Sequence, residues 1–295
     1  MPELPDLTVY LERLDTLAVG AELRDLRIGK PFVLRTVEPP PAAFIGHRLR
    51  ATRRLGKRLV LDFEHDLHAV IHLMILGRLR WTRAGAALPK SNGLAAFDFD
   101  RGTLLLVEHG SKRRAALHLL AGEAALQAFT RGGVEPLEVD AAGFRVALMR
   151  ENHTLKRALT DPRVLAGIGN AYSDEILHRA RLSPFKQTQA LDADEHARLY
   201  AATQDVLREW TERLRREAGD GWPDKVTAFR PEMAVHGRYR QPCPDCGAPV
   251  QRIVYADNEA NYCARCQTAG RLLADRALSR LLKANWPKTL DELER

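Results

Sequence analysis

The chain has 295 residues, and at about 150 residues per domain that length suits two domains and a sizeable core. Apolar residues at 45% and charged residues at 28% exclude a disordered chain. No apolar run approaches the ~18 residues of a membrane helix, and the N-terminus is not a secretory signal. Lys and Arg number 45 against 38 Asp and Glu, a formal net charge of +7 that suits a polyanionic partner.

Pro5 opens a helix at a permitted first-turn position, Leu7, Leu11 and Leu14 fall on one face of it, and Gly20 stops it. Residues 22–130 read as β-rich. Leu59, Leu61 and Phe63 alternate with Val60 and Asp62, and an apolar run from His68 to Leu76 stops at Gly77. Phe97–Phe99, then Arg101-Gly102, then Thr103–Val107 predict a hairpin with glycine at its turn. Strands at such short spacing fit a sandwich or barrel. Gly132-Gly133 ahead of Pro136 marks a domain boundary. The second half is helical: two short helices from Thr154 to Pro184 around Gly167-Ile168-Gly169-Asn170, then one from His196 to Gly219 carrying Leu199, Val206, Trp210 and Leu214. After Gly270, Leu272, Leu273, Leu278, Leu281 and Leu282 predict a terminal helix packed on a neighbour.

All 4 cysteines lie in one stretch, as Cys243-Pro-Asp-Cys246 and Cys263-Ala-Arg-Cys266 with 16 residues between the pairs. Four thiolates at that spacing close a tetrahedral site on one Zn²⁺. Four protein ligands leave no open position for chemistry, so the metal is structural and helps fold a hairpin with little core of its own. Two disulfides or four unliganded thiols are the blander alternatives. A redox pair is weaker, because no thioredoxin-like βαβ pattern surrounds either C-x₂-C. The cysteine usage points to a reducing cytoplasm.

The chain starts Met1-Pro2-Glu3-Leu4-Pro5. Removal of Met1 would leave a proline α-amine beside a carboxylic acid. An α-amine titrates below Lys, so part of it is unprotonated near neutral pH and can attack an electrophilic sugar carbon to form an iminium. Glu3 could then move protons. Taken alone, this start reads as an inert leader before a helix.

The start gains meaning beside four other segments in the same order: Gly56-Lys57, Ala166-Gly-Ile-Gly-Asn-Ala-Tyr-Ser-Asp-Glu-Ile176, Val235-His-Gly-Arg238, and the cysteine quartet ending Cys266-Gln267. Together they resemble the formamidopyrimidine-DNA glycosylase / endonuclease VIII family over residues 1 to about 267. The resemblance implies an α+β multidomain fold. It would comprise an N-terminal catalytic β-sandwich with flanking helices (1–131), a helix–two-turn–helix DNA-binding domain (132–235), a zinc ribbon hairpin (236–270) and a helical extension (271–295). It also implies excision of damaged, oxidised bases from double-stranded DNA and cleavage of the abasic strand.

Carried over residue by residue, Pro2 is the nucleophile, Glu3 its acid/base partner, and Lys57 the basic residue tied to phosphate contact and β-elimination. Without the resemblance Lys57 is one more solvated lysine in the basic run from Arg53 to Arg58. Asn170 matches a phosphate-contacting Asn where N–H groups at a helix start can hold an anion. Lys156 matches a second phosphate ligand, and Lys112, Arg113 and Arg114 supply the basic character of a further DNA-contacting loop. Residues Gly167 and Gly169 alone also fit an ordinary interhelical turn.

Four departures from the family pattern stand out. Asn258 occupies the position, five before Cys263, where the ribbon hairpin of the family carries an Arg that grips a phosphate and is tied to δ-elimination. The usual Gly-Met becomes Met74-Ile75, so the residue that fills the void of the extruded base is shifted or replaced. The loop His109-Gly-Ser-Lys-Arg-Arg-Ala115 keeps its cations and lacks the wedging aromatic. About 28 residues follow Gln267, where the family usually ends. The lesion-selecting loop falls near Gly219–Lys225, with Trp222 reading as a core aromatic slightly ahead of a base-stacking one.

The expectation is therefore a bifunctional DNA glycosylase/AP lyase of base excision repair, holding one structural Zn²⁺ on Cys243, Cys246, Cys263 and Cys266. It would act as a monomer on duplex DNA with damaged bases or abasic sites, in the cytoplasm and at the nucleoid if bacterial. A catalytically silent DNA-binding protein of the same fold is the alternative, with a zinc-ribbon protein adaptor as a remote third.

Overall fold

The computed structural model describes residues 1–110, 113–227, 229–255, 258–274 and 287–293, the side chains of Tyr255, Asn258 and Leu293 excepted. The chain divides into two compact units, Met1–Arg131 with Trp210–Thr227, and Gly132–Glu209 with Ala228–Arg295.

The first unit opens with α1 (Leu4–Ala18), which buries Leu7, Tyr10, Leu11 and Leu14, the face that the leucine spacing predicts. Eight strands follow: β1 (Leu23–Ile28), β2 (Leu49–Leu55), β3 (Arg58–Phe63), β4 (Leu67–His72), β5 (Gly77–Thr82), β6 (Gly93–Phe99), β7 (Gly102–Glu108) and β8 (Ala116–Ala121). They form two four-stranded antiparallel sheets, β1-β6-β7-β5 and β2-β3-β4-β8. Leu59, Leu61, Phe63, Phe97, Leu104 and Leu106 fill the core with α1. Each such side chain withdrawn from water contributes roughly 1.5–3 kcal/mol. Val60, Val70 and Leu120 lie on the opposite face and pack with Leu126 of the short helix α2 (Glu123–Gln127). The β6–β7 hairpin turns over two residues between Phe99 and Gly102, and Gly102 lets the Trp81 ring pack on the strand: a Cβ there would sit 2.4 Å from that ring.

Two features differ from the sequence reading. The apolar run 68–76 is not one element: β4 stops at His72, Met74 takes a left-handed turn at φ 51°, and Gly77 opens β5. Continuous apolar character hid a turn that glycine did not mark. Second, residues 210–227, expected within the helical domain 132–235, pack in the first unit. Trp222 Nε1 donates to the Leu79 carbonyl at 2.8 Å, its ring lies 5.3 Å from Tyr10, and Val226 joins the sandwich core. The core reading of Trp222 is therefore the observed one.

The second unit holds α3 (Ala141–Met149), α4 (Leu155–Thr160), α5 (Asn170–Ala180) and the N-terminal part of α6 (Ala193–Ala218), which bury Phe144, Leu155, Leu159, Tyr172, Ile176 and Leu199. The sequence reading missed α3, although Asp140 caps it, accepting from the Gly143 N–H at 2.7 Å. The ribbon is an antiparallel pair, β9 (Val250–Tyr255) and β10 (Asn258–Cys263), followed by α7 (Ala264–Thr268). Leu272, Leu273 and Leu290 complete its core with Val250, Ile253 and Tyr262. Leu278, Leu281 and Leu282 of the expected terminal helix lie outside the described residues.

Candidate active site and nucleic-acid interface

Pro2 and Glu3 are buried immediately ahead of α1. Glu3 is the N-cap of that helix in a reciprocal box: its backbone N–H donates to Asp6 Oδ2 at 3.0 Å, and its carboxylate accepts from the backbone at Asp6. Pro5 sits in the first turn, where a missing N–H is harmless. The helix start therefore fixes the backbone that follows Pro2. The sequence reading missed Asp6, whose signal was an acid three residues past the cap.

Lys57 belongs to the two-residue loop of the β2–β3 hairpin, where Leu55 pairs with Arg58 and Gly56 adopts φ +60°. Glycine at the first loop position suits such a hairpin. Burial holds the α-amine of Met1 below its ordinary value; Glu3 and Asp6 pull the value up, while Arg78 and Lys57 push it down. The residues expected at the catalytic centre are thus within electrostatic reach of the N-terminus, and Arg78 joins them unannounced by the sequence. His72, at the end of β4, is pushed down to about 4 by burial and then by Arg58, Lys57 and His118. The turn after β4 presents Ile75 at 54% and Leu76 at 38% exposure.

The basic loop is only partly described: Lys112 lies outside the described residues. Arg113 Nη2 donates to the Ser91 carbonyl, and the backbone N–H groups of Arg114 and Ala115 donate to the buried Glu108 carboxylate. The side chain of Arg114 is exposed.

In the second unit Asn170 is the first residue of α5 and partly exposed. Lys156 departs from expectation. Its Nζ donates to the Asn170 carbonyl at 2.7 Å, to Ser173 Oγ at 2.8 Å and to Asp174 Oδ1 at 2.5 Å, with the side chain only 6% exposed. An ammonium has three protons, and here all three have internal acceptors. The expectation that Lys156 grips a phosphate is corrected accordingly: it braces the turn that presents Asn170. Asp174 also takes His236 Nδ1 at 2.8 Å and Asn261 Nδ2 at 3.3 Å, and Glu175 accepts from the backbone N–H groups of Ala234, Val235 and His236. These contacts join α5 to the segment before the ribbon and to β10. Sequence reasoning treated Asp174 and Glu175 only as parts of a motif.

Asn258 opens β10 opposite Tyr255, and its side chain lies outside the described atoms. Arg252, the nearby cation that could replace the missing Arg, is engaged by Glu259 at 3.5 Å and stacks 4.5 Å over Tyr239.

The sulfurs of Cys243, Cys246, Cys263 and Cys266 all lie within 4.8 Å of one another, with Cys243–Cys266 at 3.9 Å and Cys246–Cys263 at 3.4 Å. Tetrahedral Zn–S bonds of about 2.3 Å put sulfurs roughly 3.8 Å apart, so the quartet fits one structural zinc ion. His178 Nε2 lies 3.3 Å from Cys243 Sγ, a hydrogen-bond contact from α5 that the sequence did not announce.

Comparison with known proteins agrees with this geometry. Three family profiles match: the formamidopyrimidine-DNA glycosylase N-terminal domain over residues 1–115, its H2TH domain over 133–217, and the zinc finger found in FPG and IleRS over 240–269. The formamidopyrimidine-DNA glycosylase of Thermus thermophilus is 36% identical over 282 residues, covering 92% of this chain and 100% of the relative. That of an Acidovorax species is 33% identical over 283 residues, covering 91% and 100%. The crystal structure of the Thermus thermophilus protein superposes with a TM-score of 0.75 at 33% identity, over 90% of this chain and 98% of that one. A Lactococcus lactis relative in complex with abasic-site DNA has the same fold, at a TM-score of 0.80 and 23% identity, over 90% and 99%.

Proposed function

The chain belongs to the formamidopyrimidine-DNA glycosylase family, and from that membership and the geometry around Pro2 we propose that it is a bifunctional DNA glycosylase and abasic-site lyase of base excision repair. The observation that carries the reading is a buried Pro2-Glu3 start within electrostatic reach of Lys57.

A base inside the stack is out of reach, so the enzyme extrudes it at a cost of a few kcal/mol, less for a damaged base. The exposed Ile75-Leu76 tip is the apolar group available to occupy the space left behind. With Met1 removed, the free amine passes to Pro2, whose burial disfavours the ammonium and keeps the lone pair available. Pro2 N attacks C1′, the glycosidic bond breaks, and the base leaves with its bonding pair and a proton. Glu3 delivers a proton to the ring oxygen as the sugar opens to the iminium. The iminium acidifies the C2′ hydrogens; loss of one expels the 3′ phosphate and leaves an α,β-unsaturated iminium on Pro2, which water hydrolyses to the unsaturated aldehyde and the free amine. Lys57 holds the phosphate there. Asn170 and the loop cations Arg113 and Arg114 supply backbone contacts that position the duplex without reading its sequence.

The structural zinc ion holds the ribbon hairpin together and takes no part in bond making. The catalytic domain, the helical domain and the zinc ribbon follow one another along the chain, with residues 210–227 packed back in the first unit and Leu272, Leu273 and Leu290 in the ribbon core. Among the described residues no helix is long and apolar enough to cross a membrane. We place the protein where the DNA is, in the cytoplasm, and at the nucleoid if the cell is bacterial.

Borohydride reduction of the protein on an abasic duplex tests the proposal. A covalent adduct that requires removal of Met1 is expected. Salt-dependent duplex binding without an adduct would instead mark a silent binding protein.

A further inference from the structure

Helix α5 turns one face toward the ribbon. Asp174 takes the Asn261 amide of β10, Glu175 accepts from the backbone N–H groups of residues 234–236, and His178 stands one turn further on. Residues three and four apart share a helix face, so these three side chains lie together. Just past the end of the helix, the Gln267 amide of α7 donates to the Leu182 carbonyl at 2.9 Å. Together these contacts hold the buried imidazole of His178, 4% exposed, against the cysteine quartet.

The imidazole stands where a metal ligand would. Its Nε2 lies 3.3 Å from Cys243 Sγ. Zn–S and Zn–N bonds of about 2.3 and 2.0–2.1 Å set the nitrogen–sulfur edge of a tetrahedral site at roughly 3.6 Å. His178, Asp245 and Cys266 also bring one ligand atom each within 4.8 Å of one another, and Asp245 Oδ2 is 4.0 Å from Nε2. Cys266 is partly exposed, whereas Cys243 and Cys263 are buried. Cys246, the other partly exposed cysteine, has its short contact with Cys263 instead. A surplus nitrogen donor therefore sits beside a thiolate that solvent can reach.

We propose that His178 is a reserve ligand of the structural zinc ion. When the Cys266 thiolate no longer binds the metal, His178 Nε2 takes its corner, and the ion stays held by Cys243, Cys246, Cys263 and His178. The inference rests on the zinc site and is independent of the catalytic reading. Three cysteines and one histidine are a standard ligand set for structural zinc. Coordination through Nε2 uses the neutral ring with its proton on Nδ1. Zinc binding supplies folding free energy to a small ribbon, so a retained ion keeps β9 and β10 paired after one thiolate has gone.

The test loads the full-length protein with Zn²⁺, or with Co²⁺ as a spectroscopic probe, and compares Cys266→Ser, His178→Gln and the double variant. Cys266→Ser should keep one metal per chain in a tetrahedral field, with thiolate-to-cobalt charge transfer weaker by about a quarter, one sulfur of four having gone. His178→Gln alone should keep the metal on four sulfurs. The double variant should bind at least about tenfold more weakly than Cys266→Ser. A folded Cys266→Ser protein without metal, or one whose affinity the second change leaves unaltered, overturns the proposal. So does Cys266→Ser losing its metal with Asp245→Asn and not with His178→Gln, since the carboxylate is then the reserve donor. Should Cys266→Ser fail to fold, zinc transfer to a chromogenic chelator from protein with all four cysteines decides. A chelator detaches thiolates in turn, and a donor that catches the ion slows its escape. Glutamine at 178 still offers an N–H to Cys243 and no ring nitrogen, so His178→Gln should release zinc at least about tenfold faster. Release as slow as from the unmodified protein overturns the proposal and leaves His178 a hydrogen-bonding neighbour only.

Discussion

Lys156 Nζ and Asp174 Oδ1 lie 2.5 Å apart with side chains 6% and 0% exposed, so the cation expected to face DNA is neutralised inside the protein. Breaking a buried pair by removing one partner costs about 3–5 kcal/mol, because the other charge is left in a poor solvent. Here His236 and Asn261 still support the carboxylate, which places the cost at the lower end. Lys156→Ala should therefore lower the melting temperature by several degrees and leave the salt slope of duplex binding unchanged. A slope reduced by about one unit would return Lys156 to the phosphate-binding set.

Zinc removal should act locally. Stripping the metal, or Cys246→Ser, takes away the ion around which Val250, Ile253, Tyr262, Leu272 and Leu273 pack. Amide exchange should become fast in β9 and β10 and remain slow in β3, β4 and β7. Duplex affinity should fall at least tenfold. Metal analysis giving well below one zinc per chain in reduced protein would end the zinc assignment.

The two elimination steps should separate. β-Elimination needs the amine, an iminium and an acidified C2′ proton. The δ step must expel a second phosphate from a more mobile product, where a charged clamp helps, since charge-assisted bonds are about twice as strong as neutral ones. Asn258 brings no charge, and Arg252 is occupied by Glu259 and Tyr239. Abasic DNA should yield mainly β-product, and Asn258→Arg should raise the δ share. Predominantly β,δ-product from the unmodified protein refutes this.

Acid should weaken the fold through His72. Its value is about 4 in the folded chain against an ordinary 6.5, so between those pH values the unfolded chain binds the extra proton. The stability contributed by keeping the ring neutral is full above pH 6.5 and is lost as the pH falls toward 4. His72→Gln should therefore lose less melting temperature between pH 7 and pH 4 than the unmodified protein. An equal loss in both would remove His72 from the acid response.

What the sequence made legible was whatever depends on local chemistry. The quartet declared itself because zinc demands a fixed ligand count and spacing. The α1 face and the β6–β7 hairpin followed from period and turn residue. Lys156 misled because its partners, Ser173 and Asp174, lie on the next helix: a motif carries residue types and not their hydrogen bonds. His178 was invisible for the same reason, lying 65 residues from the Cys243 sulfur it meets. Met74 hid a turn because a left-handed non-glycine leaves no mark in an apolar run. Arg78 and Asp6 entered only when folding gathered charges around the N-terminus.

The Trp222–Tyr10 packing bears on any attempt to dissect the protein. A fragment ending at residue 131 would contain both sheets and the proposed nucleophile, yet lack the Trp222 and Val226 side chains that pack on them and the Arg215 partner of Glu12. Such a fragment would bare a greasy seat around Tyr10 and Leu79 and tend to aggregate. A workable minimal piece would have to graft residues 210–227 back onto it through a designed linker, so the catalytic portion is not a contiguous cassette that can be cut out and shuffled.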